Sequence, residues 1–300
     1  MVLTRNIAKR QKTEESPCME SVLFNSDSLF KIASYLPAES LLNLALTCTR
    51  FGAAPSPDTD VDNSLSLVEE ATRRIVHDIA TEEQMNALPC YDEDNWLCNY
   101  NYLKSLRTPL TFDHLVGNID YVGGNKSHVT CNVRLGLATA FSNNIMMAGK
   151  HYVSFEACNS RSSDSLYIGV MRPGEAMQSS KYIPLLPAFY EHFTQREGSR
   201  QYNNTVNCCM YSSLNGYCFS HAWGEGKIPY KKDWDGMEGI SGSFEVGMLL
   251  DLDEGTLSVY NSGRKLGVMK RGLAGHYCWV VSLLSSGSRV TIKRGTVPLS

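Results

Sequence analysis

The stretch from Ser243 to Leu284 constrains this chain more than any other. It opens with an alternation. Phe244, Val246, Met248, Leu250 and Leu252 fall on one face, and Glu245, Gly247, Asp251 and Asp253 on the other, with Leu249 the interruption. Period two with one apolar face is the mark of a half-buried strand. Asp253-Glu254-Gly255 ends the run, glycine accepting the positive φ of a tight hairpin. Thr256 to Tyr260 alternates again, Asn261-Ser262-Gly263 is a second turn, and Lys265 to Met269 is a short third strand. Gly272 and Gly275 break the next connection. Tyr277 to Leu284 is an apolar run centred on Trp279, short enough for a buried strand. A meander with turns about every eight residues has the spacing of an antiparallel β-sandwich, with Trp279 expected between its sheets.

The order LLDLDEGTLSVYNSGRKLGVM, a glycine-broken loop and then YCWVVSL resembles the C-terminal half of a SPRY domain. That family runs through an apolar strand ending in acids, a hairpin, a strand with an aromatic, an asparagine-glycine turn and a closing apolar strand. Here Ser262 separates Asn261 from Gly263, and Cys278-Trp279 stands where the family often has proline. Upstream, Ile168-Gly169-Val170 before Met171-Arg172-Pro173-Gly174 is similar to the family's apolar Gly-Val strand, on whose following loop bound partners often sit. The resemblance implies a SPRY-type antiparallel β-sandwich over residues 111–298, mainly β in class, with an N-terminal helical module and a helical connector before it.

That second module is read from Ser26 to Phe51. Leu29, Ile32, Ala33 and Leu36 recur at helical spacing, Ser26 or Ser28 can cap the start, and Pro37 ends that helix and opens the next. Leu41, Leu42, Ala45 and Cys48 form a second stripe with Leu44 beside it. Two such leucine-rich helices cannot hide their stripes within thirty or so residues and must pack on something else. The pattern Ile32-Ala33-Ser34-Tyr35-Leu36-Pro37, a leucine-rich helix, Cys48, Arg50 and Phe51 resembles an F-box. It departs from that family in lacking the opening Leu-Pro and in meeting Gly52 directly after Phe51. The resemblance implies a Skp-type adaptor and cullin complex as partner, docked on Leu29, Ile32, Leu36, Pro37, Leu41, Leu42 and Leu44. The alternative is a helical hairpin packed on its own sandwich, in a SPRY scaffold with no ubiquitin-ligase link.

Domain organisation follows as a basic disordered tail over 1–20, the F-box-like module over 21–52, linker and connector helices over 53–110, and the sandwich over 111–298. In the connector, Ser66 to Glu69 reads as a capping box, and Leu65, Val68, Thr72, Ile75 and Ile79 line one helix face. A further helix carries Trp96, Tyr100, Leu103 and Leu106 and ends before Pro109. Strands are expected at His151 to Ala157, Leu166 to Met171 and Asn215 to Ser220. A long insert runs from Glu175 to Val206, with one helical turn suggested by Phe189, Tyr190 and Phe193.

Composition narrows the function. A 43% hydrophobic, 20% charged chain is ordinary globular material, and a net charge of −3 argues against general nucleic-acid binding. Asp58 to Asp94 holds eleven acids against Arg73 and Arg74. A solvated acidic surface accounts for it. No run is long enough to span a membrane, and the basic start has no apolar core behind it, so an intracellular protein of cytoplasm or nucleus is expected. The ten cysteines include no C-x-x-C pair and are expected to be free thiols, with Cys48, Cys158, Cys218 and Cys278 in the core. No metal, cofactor or catalytic constellation is expected: Gly224 to Lys227 lacks a phosphate loop's spacing, His192 and His221 lack partners, and Asp251 and Asp253 suit a hairpin end. The chain reads as a binding protein and not an enzyme. Its client, a protein segment bound in extended form, is expected at inter-strand loops, with Arg172, Tyr182, Trp223 and Trp234 as candidates. Trp223, Tyr230 and Trp234 share one loop and could equally pack the sandwich edge.

Overall fold

The computed structural model describes residues 26–47, 49–52, 65–86, 88, 95–132, 138–159, 166–173, 208–221 and 230–298. The basic tail, the linker over 53–64 and the insert over 175–206 lie outside the described residues. The chain divides into two compact units, one comprising Met1–Thr81 and Tyr91–Asn101, the other Glu82–Cys90 and Tyr102–Ser300.

The first unit is helical. Helix α1 (Ser26–Ala33) stops short of Pro37 with a turn in which Tyr35 N–H and Leu36 N–H donate to the Ile32 and Ala33 carbonyls. Helix α2 (Ala38–Thr47) restarts after the proline, and the four-residue α3 (Thr49–Gly52) follows. Gly52 ends α3 where a Cβ would collide with the Ala45 carbonyl of α2. The glycine that interrupts the expected third helix is thus a close-packing residue. Helix α4 (Leu67–Ile79) begins at Ser66, whose hydroxyl accepts from Glu69 N–H at 3.2 Å. The reciprocal half of the capping box is absent, because the Glu69 carboxylate accepts from Leu97 N–H at 3.0 Å. Helices α1, α2 and α3 all pack on α4, whose buried Val68, Ala71, Ile75 and Val76 meet the need for a partner surface.

Among the described residues, the second unit contains α5 (Glu82–Asn86), the C-terminal part of α6 (Trp96–Arg107) and fourteen strands in two seven-stranded sheets. The strands are β1 (Phe112–Gly117), β2 (Ile119–Val122), β3 (Asn125–Cys131), β4 (Ala138–Ser142), β5 (Lys150–Cys158), β6 (Leu166–Met171) and β7 (Cys208–Ser212). They continue as β8 (Cys218–His221), β9 (Tyr230–Lys232), β10 (Ser243–Asp251), β11 (Thr256–Asn261), β12 (Arg264–Arg271), β13 (Cys278–Leu283) and β14 (Arg289–Arg294). One sheet has the order β1-β4-β13-β6-β7-β8-β9 and the other β12-β11-β10-β5-β14-β3-β2. The pairings between neighbours are antiparallel.

The core lies between the sheets. Val246, Met248 and Leu250 of β10 are buried there beside Val153 and Phe155 of β5, with Phe244 and Leu252 packed at the margin. Trp279 faces them from β13, edge-on to Phe155 at 6.1 Å between ring centroids. The outer face of the first sheet is buried as well, through Val116, Phe141, Met171, Cys208, Met210, Cys278 and Val280. Strand β13 is therefore buried along its whole length, which explains its unbroken apolar run. The turn at Asn261-Ser262-Gly263 resolves into a two-residue hairpin: Asn261 pairs Arg264, and Ser262 and Gly263 take φ of 48° and 83°. Two positive φ values in succession are what a tight hairpin between twisted strands requires. One expectation is corrected: Cys158 is exposed at the end of β5 and not part of the core.

Within the second unit, Tyr102 sits against the start of β5. Tyr102 donates its hydroxyl to the Lys150 carbonyl and sets its ring edge-on to His151 at 5.0 Å. His151 points inward, its Nε2 against the Ala148 carbonyl at 2.8 Å. Burial, together with the Arg294 charge, outweighs that hydrogen bond and holds its pKa down at about 4. An unfolded histidine takes a proton near pH 6.5 while the folded one does not. His151 should therefore contribute fully above that pH and lose its contribution as pH falls from about 6.5 through about 4, by about 3 kcal/mol in all. Urea titrations across that range should show this loss in the parent and not in His151→Phe, once carboxylate effects common to both are subtracted.

Candidate functional site

Two surfaces compete for a binding role, one in each unit. In the helical unit the stripes read from the sequence divide between core and solvent. Leu41 is fully buried and Leu36 and Leu44 are half-buried, whereas Ile32, Pro37 and Leu42 are exposed. The side chain of Leu29 lies outside the described residues. Tyr35 is 80% exposed and Leu46 76% exposed, so Ile32, Tyr35, Leu42 and Leu46 are the large apolar side chains open to solvent among the described residues of this unit's first two helices and the turn between them. Leu42 and Leu46 stand one turn apart on α2, whereas Ile32 is in the last turn of α1 and Tyr35 in the turn that follows it. Helical periodicity selects the residues that serve the unit's own core, which is why it led to Leu41. Yet of the exposed residues, Ile32 and Leu42 belong to the stripes and Tyr35 and Leu46 stand beside them, so helical spacing alone does not separate core from open positions.

In the sandwich, strand direction decides which loops can cooperate. Met171 ends β6 beside Cys278 and Cys208, and β10 starts at Ser243 beside Cys158. The connections that leave from the Met171 end are those over 142–149, 172–207, 222–229, 252–255 and 272–277. Those at the opposite end include 159–165, 213–217 and 233–242. Arg172 therefore sits at one end and Trp234 at the other. Tyr182 and Trp223 lie outside the described residues, on connections that start and finish at the Arg172 end. Of the four client candidates, the two in described residues, Arg172 and Trp234, do not share one surface.

Trp234 is also engaged in packing. Its Nε1–H donates to the Gly216 carbonyl at 2.7 Å, and its ring packs on the core beside Gly267. The surrounding loop is stapled. Ile240 N–H donates to the Ser213 carbonyl at 2.5 Å, and Tyr211 donates its hydroxyl to the Glu238 carbonyl. Glu238 in turn accepts from Arg264 at 2.6 Å and Asn261 at 2.8 Å, which hold its carboxyl below the usual range. Of the two readings open for Trp234, edge packing is the one realised.

Arg172 is held rather than splayed. One guanidinium nitrogen donates to the Ala274 carbonyl, and the group lies 5.3 Å from the centre of the Tyr277 ring. A flat cation on an aromatic face keeps its charge while losing mobility. The adjoining segment over 143–149, which sequence reasoning passed over, presents Ile145 and Met147 to solvent. Its signal was the apolar run Ile145-Met146-Met147 between Asn144 and Gly149. Among the described residues no group of three His, Cys, Asp or Glu could hold a metal ion, and no helix is long and apolar enough to cross a membrane. Buried Cys209 and Cys218 place their sulfurs 3.7 Å apart, and that contact, with burial added to it, pushes the Cys209 thiol's pKa up, away from a reactive thiolate.

No family model matches the chain, and no curated protein matches it in sequence. Among solved structures it is similar to the SPRY domain of human HERC1, with a TM-score of 0.40 and 13% identity over 59% of this chain and 94% of that one. It is similar to the TRIM65 PSpry domain at 0.41 and 17%, covering 65% and 96%. It is also similar to the Drosophila melanogaster neuralized NHR1 domain at 0.41 and 10%, covering 63% and 99%. These likenesses are remote in superposition and in sequence. The two-sheet architecture stands on its own register and shared core.

Trp234→Ala should lower the stability of the sandwich by about 2–4 kcal/mol, through lost packing and an orphaned Gly216 carbonyl. Denaturant unfolding followed by far-ultraviolet circular dichroism measures it. A midpoint equal to the parent's would return Trp234 to the exposed rim.

Proposed function

We propose that this chain is a protein-interaction adaptor: its helical unit docks a Skp-type adaptor of a cullin ubiquitin ligase, and its sandwich holds a protein client. It does no bond chemistry itself. Its contribution is proximity, keeping a client lysine near a charged ubiquitin carrier. The observation that carries the reading is the exposure of four large apolar side chains, Ile32, Tyr35, Leu42 and Leu46. A helical unit that buries Leu41, Ala33 and Val68 in its own core has no structural use for four further large apolar side chains in water. The F-box-like order from Ile32 to Phe51 supports the choice of partner, and the SPRY-like order from Ser243 to Leu284 supports a client-binding sandwich.

The scaffold reading has one observation in its favour. Leu41 and half of the apolar stripe are spent on packing against α4, as in a helix bundle with no partner. The two readings separate on a variant that leaves the core alone. Tyr35→Asp combined with Leu46→Asp places charge on the open face, where substitution should cost the fold no more than about 0.5 kcal/mol. Copurification of the tagged whole chain from cells should recover the adaptor and cullin with the parent and lose them to background with the double variant. The melting temperature should stay near the parent's. Recovery undiminished by the double variant would remove the docking face from that role, and no recovery with the parent itself would leave the scaffold reading standing.

A further inference from the structure

The first sheet is apolar and dry on its outer face as well as its inner one. Phe141 of β4, Met171 of β6, Cys208 and Met210 of β7, and Cys278 and Val280 of β13 form a patch there, and each is at most 3% exposed. Hydroxyls on the same face satisfy each other. Thr139 and Ser282, partners across β4 and β13, place their oxygens 2.9 Å apart, and neither is more than 1% exposed. An antiparallel sheet can leave its outer face to water. This one does not, and side chains so deeply buried need other atoms packed over them. Among the described residues, Tyr167 is the one other apolar side chain packed on the patch, and it belongs to β6 of the same sheet.

One connection starts and finishes on this patch. Met171 and Cys208 are members of it and are partners across β6 and β7. Paired antiparallel strands are commonly joined by about 2–5 residues. These two are joined through the whole stretch over 174–207, which lies outside the described residues. At ~3.3 Å per residue that stretch can reach on the order of 100 Å, against about 30 Å across a seven-stranded sheet. Its sequence has the matching chemistry. Tyr182, Ile183, Leu185, Leu186, Phe189 and Phe193 fall in one short run. Large apolar side chains at that density belong against a surface and not in water. Two other connections outside the described residues offer less. The one over 222–229 has Trp223 and Ile228 as its large apolar residues, and the short one over 133–137 joins β3 in one sheet to β4 in the other.

We propose that the outer face of the first sheet is the docking surface of the chain's own segment over 174–207, with the apolar run from Tyr182 to Phe193 occupying the patch at Phe141, Met171, Met210 and Val280. The face is thereby withheld from clients and from a second copy of the chain. Client recognition is left to other surfaces of the sandwich, and Tyr182 serves the protein's own packing.

Photo-crosslinking in the whole chain tests it. Phe189 is replaced by p-benzoylphenylalanine, whose excited ketone inserts into neighbouring C–H bonds, and the products are mapped by peptide mass spectrometry. Crosslinks should fall within one molecule, on the peptides of β4, β6, β7 and β13 that carry Phe141, Met171, Met210 and Val280. Crosslinks confined to the second sheet or the helical unit, crosslinks between two copies, or none at all would overturn the proposal. So would a probe at Trp223 that reaches those strands when the probe at Phe189 does not, which would make the 222–229 connection the occupant. A second variant replaces 175–206 with a short Gly-Ser linker. It should bind an apolar fluorescent dye severalfold more than the parent does. A synthetic peptide of residues 181–194 should suppress that signal, and its scrambled counterpart should not. A deletion variant with the parent's dye signal and melting temperature would also overturn the proposal. Where the deletion fails to fold, the crosslinks, made in the whole chain, decide.

Discussion

Phe155 and Trp279 meet edge to face at the centre of the sandwich, one from each sheet, and the rest of the unit is arranged by that contact. Both side chains are fully or almost fully buried, so β5 and β13 have their registers set by which residues must face inward. A slip by one residue would turn Trp279 out and Cys278 and Val280 in. Once those registers are set, the direction of each neighbouring strand follows, and so does the end at which each loop emerges. The separation of Arg172 from Trp234 is a consequence of core packing, not of loop composition.

The sandwich was legible where one face is buried and the other is not. The alternation from Phe244 to Leu252 placed Val246, Met248 and Leu250 inward, as the structure has them. The strands not read from the sequence are β1 to β4, β7, β9 and β14; most are short, mixed or buried on both faces and carry no clean period, whereas β14 alternates, burying Val290 and Ile292, over only six residues. Strand β7, Cys208 to Ser212, is buried at every position and offers no polar face to alternate with. The strand expected at Asn215 begins only at Cys218, because Ser213 to Gly216 form the turn, with Gly216 at a φ of 73°.

The candidate sites were less legible, for a different reason. Periodicity finds residues that serve the fold, and docking residues are those the fold leaves over. Leu41 matched the stripe and is core; Tyr35 and Leu46 stood beside the stripes and are open. Trp234 looked like a rim aromatic, yet its indole nitrogen is committed to Gly216. Ile145 and Met147 lie in a segment with no motif, and their exposure depends on the burial of Met146 between them. That pattern becomes visible only when Tyr277, more than a hundred residues later in the chain, is brought alongside.

The measurement closest to the central claim is native-state hydrogen exchange along the sandwich. If the Phe155–Trp279 contact is the centre of the unit, the amides of Val280 and Val281 in β13 and of Val153 and Phe155 in β5 should be the slowest. They should exchange only through global unfolding, while those of the edge strands β9 and β2 open first. Amides of β13 that exchange as fast as those of β9 would contradict the account, because the strand argued to be buried on both faces would then be an opening edge.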